Sequence, residues 1–529
     1  MKRRGTRGWA YAAVFLAAAV AHSLAAAALP DVAPEPVPGP APEPVPAVLS
    51  GSAGIAPAAA APCGECVLAG NQPEAYTGMV PAPAVAALGV ASCATVSCHG
   101  GPLAGNHDVQ SFAATIWASH DRHARGYEVL HSERSQRMAK LLGIGPPHRA
   151  QQCLVCHSVQ DMAADRLPSE VLADGVGCAA CHGDATHWQQ VHMLPEWKHV
   201  SREERTALGY RDLSTPLARV ETCVRCHVGD ATHEVNHDMI AAGHPRLFFE
   251  FAAYQRLEPR HWSPQGKAES SPDFTARSWS VGQAVTLAAV ADLLADRVQR
   301  ARDAADSGHP QRWPEFAEFD CYSCHRSLGA DTSTASREPA LRSPRPGQPA
   351  WQPWQVAGAR LLRAGLEGAA PVPGSSATAL ERSTVDIRRL LDTQWAAADR
   401  ERLDRVLLEA RGLAVAARRS IAEIDTLPLI VVDASHETLD AVEAANPLEW
   451  LTWDAAAQTS LAMEAGRDGG PARIGVWRSC SRQSGAIRMA SEPRQSLDAL
   501  RESLRFPPAA DSPGPFDPRS FQRLRRQVP

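Results

Sequence analysis

The sequence predicts a mainly α protein, with short helices gathered around repeated cysteine–histidine motifs and a longer helical region after them. Three observations predict it. Between Cys93 and His325, a pair of cysteines followed at once by a histidine occurs five times. Apolar residues recur at helical spacing between Trp279 and Arg302, and again between Ser383 and Ile424. Proline (42) and glycine (37) are frequent, which favours short helices and loops over large sheets.

The motifs fix the chemistry. Cys153 to His157, Cys178 to His182, Cys223 to His227 and Cys321 to His325 each read Cys-x-x-Cys-His; Cys93 to His99 is a wider copy with four residues between the cysteines. This is the attachment signature of haem c, whose vinyl groups form thioethers with the two cysteines. The histidine that follows becomes the proximal iron ligand. Zinc and disulfides also use paired cysteines, but neither requires a histidine immediately after the second one. The expectation is therefore five covalent haems, attached at Cys93, Cys98, Cys153, Cys156, Cys178, Cys181, Cys223, Cys226, Cys321 and Cys324. The proximal ligands are His99, His157, His182, His227 and His325. No residue is assigned to catalysis.

The rest of the chain is read in order. At 529 residues with net charge −5, it is long enough for two or three domains and carries no basic surplus that would point to nucleic acid. Lys2, Arg3 and Arg4 precede an apolar run, and small residues follow at Ala25 to Ala28, so residues 1–28 read as a cleaved secretory signal or an N-terminal anchor. Residues 29–83 are rich in Pro and Ala and form an extended linker. Within it, Cys63 and Cys66 have Val67 where a haem needs histidine, so a small disulfide is the reading there. Residues 84–332 make the pentahaem domain, and its one long helix runs near Trp279 to Arg302. Residues 333–349 are a second linker. Residues 350–529 form a helical region, with Ile387, Leu391 and Trp395 on one face and a helix start at Asn446, Pro447 and Glu449.

Each iron has a sixth position. A second histidine there gives a saturated electron carrier, whereas an open face admits substrate. Thirteen further histidines lie between His107 and His309. This surplus favours bis-histidine ligation for most of the haems.

The order of the motifs resembles the tetrahaem cytochrome c-554 family over about Cys93 to His227. The resemblance rests on Trp117 and His123-Ala124-Arg125 after the first motif. It rests also on Gly175-Val176-Gly177 before Cys178, Gly183 after His182, and the following His192. It implies His123 as distal ligand to the haem of Cys223 and Cys226, and His192 to that of Cys93 and Cys98. It implies a histidine after the fourth motif, His244 or His237, for the haem of Cys178 and Cys181. It also implies that the haem of His157 is five-coordinate, although His148 lies close in sequence. For the fifth haem, His309 and His261 are the candidates. The wide first motif, the fifth motif and the C-terminal extension depart from the family.

Two functions follow. One is an exported, periplasmic electron-transfer protein, passing electrons through a haem wire between periplasmic redox proteins or from a membrane quinol-linked complex. A membrane tether through the N-terminal segment is compatible with it. The other is a multihaem oxidoreductase acting on a small nitrogen or sulfur compound at a five-coordinate haem. The sequence lacks the Cys-x-x-Cys-Lys motif of the lysine-ligated catalytic haem.

Overall fold

The computed structural model describes residues 89–102, 108–158, 168–263, 268–271, 273–307, 313–321, 349–369, 376–394, 399–427, 436–445, 453–468, 499–500, 502–504 and 518–527. The N-terminal signal and linker (1–28 and 29–83), Cys63, Cys66, Cys324, His325, His107, His309, residues 333–348 and the helix start at Asn446 lie outside them. The chain divides into two compact units, Met1–Met79 and Val80–Pro529, and all described residues belong to the second.

The described elements are α-helices and short 3-10 turns, and the one bridged pair is Phe319 with Trp351. The fold is mainly α. Its first part is a series of short helices: α1 (Ala113–His120), α2 (Glu133–Leu142), α3 (Gln151–His157), α4 (Cys178–His182), α5 (Pro216–His227), α6 (His237–Ala242) and α7 (Phe251–Leu257). Local chemistry sets their ends. The Ser132 hydroxyl accepts from Ser135 N at the start of α2, and Gly143, at φ +67°, closes it in the left-handed region that favours glycine. Thr215 caps α5 ahead of Pro216, Asn236 caps α6, and the buried carboxylate of Glu250 accepts from Ala252 N and Ala253 N to start α7.

The long helix α8 (Phe274–Ser307) extends beyond both ends of the expected Trp279–Arg302 stripe. It has the length and apolarity of a membrane span, but its apolar stretch is buried on nearly all sides within the protein, as in a central core helix. Around it pack α5, α7, α9 (Pro353–Ala369), α11 (Arg400–Thr426) and α12 (Trp453–Asp468), while α10 (Ser376–Gln394) packs on α9 and α11. The single helical stretch read from Ser383 to Ile424 is thus two helices, and Asp399 caps the second by accepting from Arg402 N. Gly282 and Gly358 mark the closest approaches. A Cβ at Gly282 would stand 2.7 Å from Phe251 Cβ, and one at Gly358 would collide with the Gln283 amide.

The apolar core sits on this helical stack. Its two large clusters run from Val220 to Phe521 and draw on α5, α7, α8, α9, α10, α11 and α12. Residues 89–215 contribute to neither cluster. A segment this poor in side-chain core needs another source of buried apolar surface, and covalent macrocycles supply one.

Candidate haem sites

Three of the tight motifs form the last turn of a helix: α3 ends at His157, α4 at His182 and α5 at His227. Helical geometry brings residues i, i+3 and i+4 onto one face, so both cysteines and the histidine of each motif point the same way. The wider first motif is a non-helical turn. Its His99 is held by a backbone bond from His99 N to Cys93 O at 3.3 Å, and Ala114 N donates to His99 O at 2.9 Å.

Each of these four proximal histidines faces a second imidazole at nearly constant spacing. The ring centres are 6.2 Å apart for His99 and His192, 6.4 Å for His157 and His244, 6.2 Å for His182 and His261, and 6.1 Å for His123 and His227. Bonds of about 2 Å from one metal ion to two imidazole nitrogens separate the ring centres by roughly 6 Å. By contrast, His131 and His148 stack at 4.5 Å, which leaves no room for an ion between them.

The hydrogen bonds of the rings point to the same use. Nδ1–H donates to Gln110 O from His99 (2.7 Å), to Gly126 O from His157 (3.0 Å), to Pro245 O from His244 (2.8 Å) and to Pro259 O from His261 (3.3 Å). His192 donates to Gln189 O, and His123 to the Asp121 carboxylate at 2.9 Å. With Nδ1 committed, Nε2 keeps its lone pair for a metal, as in histidines that ligate one. Burial pushes His157 and His244 down and brings His227 to about 4, so these rings are neutral. The donor set fits haem iron with two imidazoles at each of the four sites. A bound haem would supply one-electron chemistry there, and the histidines would hold its iron from both sides.

The placement differs from the expectation in three respects. His244 stands opposite His157 rather than His182, His261 takes the place opposite His182, and His148 stacks on His131. The cause is the course of the chain after Gly243. Arg134 Nε and Nη2 donate to Gly243 O at 2.9 and 2.6 Å, and this draws the following residues towards α2 and α3. His237 lies elsewhere, with its ring 5.5 Å from Phe316 and its N–H donating to Glu315 Oε1 at 2.7 Å. Of the fifth motif only Cys321 is described, and Cys324 and His325 fall outside. The structure does bring together the first-motif pair, His99 with His192, and the fourth-motif pair, His123 with His227.

The short signatures around these rings have a physical purpose. Val176 N donates to His123 O at 3.1 Å, and Trp117 Nε1 donates to Val176 O at 3.1 Å. Gly175 has φ +67°, and a Cβ there would stand 2.8 Å from His123 O. Tryptophan, the His-Ala-Arg turn and the Gly-Val-Gly turn thus lock one another and fix His123 over the fourth site.

The motif cysteines also show which sites adjoin. Cys93 lies beside Cys178. Cys156 lies beside Cys226, whose Sγ is 3.9 Å from Val155 O. The first site therefore adjoins the third, and the second adjoins the fourth.

Residues 92–183 match the family model described as cytochrome c554 and c-prime. The match supports a c-type cytochrome. It covers the first three motifs together with Trp117, His123 and Gly175 to Gly183, and haem c is the cofactor that such a region implies. The matched region thus includes His99, His157 and His182 with one of the facing imidazoles, His123, and His192 follows it by nine residues. His244 and His261 lie beyond it. No curated protein and no solved structure matches the chain.

Proposed function

We propose that this chain is an exported, periplasmic pentahaem cytochrome that carries electrons along a wire of bis-histidine haems and performs no substrate chemistry at an open iron. The observation that carries this reading is the facing imidazole at all four described proximal histidines, His157 included. With His244 opposite it, the second haem has both axial positions filled. The resemblance implies an open face at that haem, and the His157–His244 pair speaks against one there. Saturated bis-histidine iron changes its ligand shell little between oxidation states, which suits transfer and not binding.

The contacts between motif cysteines support a linear order. The first haem adjoins the third through Cys93 and Cys178, and the second adjoins the fourth through Cys156 and Cys226. Cys223 lies near Cys181, which joins the third to the fourth. Cys321 is close enough to Arg246 for each to feel the other, and Arg246 follows His244 by two residues, so the fifth attachment lies at the second-haem end. The wire runs first, third, fourth, second, fifth. Val96, Met193 and Leu194 stand exposed around the first site, and they suit that end to docking of a periplasmic redox partner.

Two measurements on the purified holoprotein test this. Intact mass should exceed the polypeptide by five haems. A low-temperature EPR spectrum normalised to total haem should contain only low-spin ferric iron. A high-spin signal equivalent to one haem would favour the oxidoreductase reading, and nitrite, hydroxylamine and nitric oxide would be the ligands to add.

A further inference from the structure

The C-terminal helices reach the second haem site through one short strap. Residues 244–249 leave the left-handed Gly243 (φ +121°), carry His244 to its place 6.4 Å from His157, and end against α7. On the outer side of this strap sits the C-terminal region. Asp454, in the first turn of α12, receives Arg246 Nη1 at 3.2 and 3.4 Å, with both side chains nearly removed from solvent. The Arg246 guanidinium lies over the Phe248 ring at 4.9 Å. Trp354 of α9 and Trp453 of α12 each meet Phe248 at 5.3 Å and stack on one another. Trp354 Nε1 donates to Phe249 O at 2.9 Å, and Trp453 Nε1 donates to Leu504 O at 2.7 Å.

We infer that Asp454 is a positioning residue for the sixth ligand of the second haem, holding His244 on the iron through Arg246. The inference rests on the reading of His244 as that ligand. Its physical basis is the cost of an alternative strap position. A buried guanidinium deprived of its carboxylate must find water or another partner, and breaking such a pair is strongly destabilising. Only Pro245 separates Arg246 from His244, so displacement of the strap by the guanidinium is transmitted to the imidazole. The C-terminal extension is thereby part of the haem site: it closes the iron face that the resemblance implies to be open.

The test uses the full-length holoprotein and the ferric high-spin signal. His244→Ala should give a high-spin signal equivalent to one haem; if it stays wholly low-spin, the ligand reading fails. Asp454→Asn should give a high-spin fraction that free imidazole abolishes. It should weaken ligation by about ten-fold, the low end of the loss when a group bonded to a ligating histidine is removed, because Asp454 acts through Arg246. Asp454→Glu should restore the low-spin state. Glu464→Gln serves as the control, because it breaks the ion pair of α12 with Arg256 (3.0 Å) without touching the strap. If Asp454→Asn remains low-spin while His244→Ala does not, the positioning role is overturned. It is also overturned if Glu464→Gln produces the same signal, because the effect is then general loosening of α12. Should Asp454→Asn not be recovered, Asp454→Ser takes its place, because it leaves the Arg246 guanidinium without a carboxylate while making room for water beside it. A high-spin second haem in that variant supports the inference, and a wholly low-spin one overturns it.

Discussion

The imidazole planes of His99 and His192 lie within 16° of parallel, whereas the other three facing pairs cross at 72° to 79°. Parallel axial rings donate π-density along one direction and split the iron dxz and dyz orbitals. Crossed rings donate along both and leave them nearly degenerate. Among the four described sites, the ferric holoprotein should therefore show one ordinary rhombic low-spin species and three strongly anisotropic ones with a large highest g value. His192→Ala should remove the rhombic species alone. Loss of a strongly anisotropic signal instead would mean that the rings are oriented otherwise in the loaded protein.

Substitution separates the ligands from the bystanders. His261→Ala should produce a high-spin ferric signal equivalent to one haem and raise the reduction potential of the third site, because an imidazole donor that stabilises ferric iron is lost. His148→Ala should leave every haem low-spin, because His148 stacks on His131 and not on an iron-facing ring. Optical and EPR spectra of both variants check this, and a high-spin signal in His148→Ala would reverse the assignment at the second site.

How far these ligands could be read from the sequence depends on the distance their information travels. The attachment cysteines and proximal histidines announce themselves within five residues, because a helical turn suffices to align them. His123 and His192 are framed by local signatures, and the structure explains why: Trp117, His123 and Val176 are hydrogen-bonded to one another. His261 has no such frame. It reaches His182 only because α5 and α7 pack on α8 and carry the intervening chain back, and no short pattern records that. His244 stands opposite His157 and not His182 for a related reason. Its turn is legible in the sequence, but Arg134 and Asp454, which hold the strap, lie far from it along the chain. The helical stripes likewise foretold α8 and α11 without indicating that α8 would be buried on nearly all sides.

Glu250 gives the fold a pH signature. Burial pushes its carboxyl from 4.5 up to about 7, against the two backbone N–H groups that stabilise its charge. The folded state therefore holds this proton over a range in which the unfolded chain has released it. Its contribution is fully present below about pH 4.5 and is lost as pH rises through 7, a change of about 3 kcal/mol. Glu250→Gln mimics the protonated form, and its melting temperature relative to the parent should rise between pH 4.5 and 7 and then level off. A difference that stays flat over this range would show that Glu250 does not titrate there.

The crossing of α8 and α9 depends on a missing side chain. Gly358 faces the buried Gln283, whose Nε2 donates to Gln458 Oε1 at 3.3 Å. Gly358→Ala forces that amide aside and should cost about 1–3 kcal/mol through overpacking. Adding Gln283→Ala should recover most of the loss, a non-additivity expected of residues in contact. Thermal or denaturant unfolding of the single and double variants measures it, and additive losses would place the strain elsewhere.

Phe249 lies 5.5 Å from the ring of His227 with 19° between their planes, at the far end of the same strap that carries His244. The six residues of this strap thus supply the axial ligand of one centre and touch that of another. Mutational change in this strap cannot retune one potential and spare the other. Adjustments at the second and fourth haems are inherited together, so the step between them is buffered against drift, while their common level is free to move.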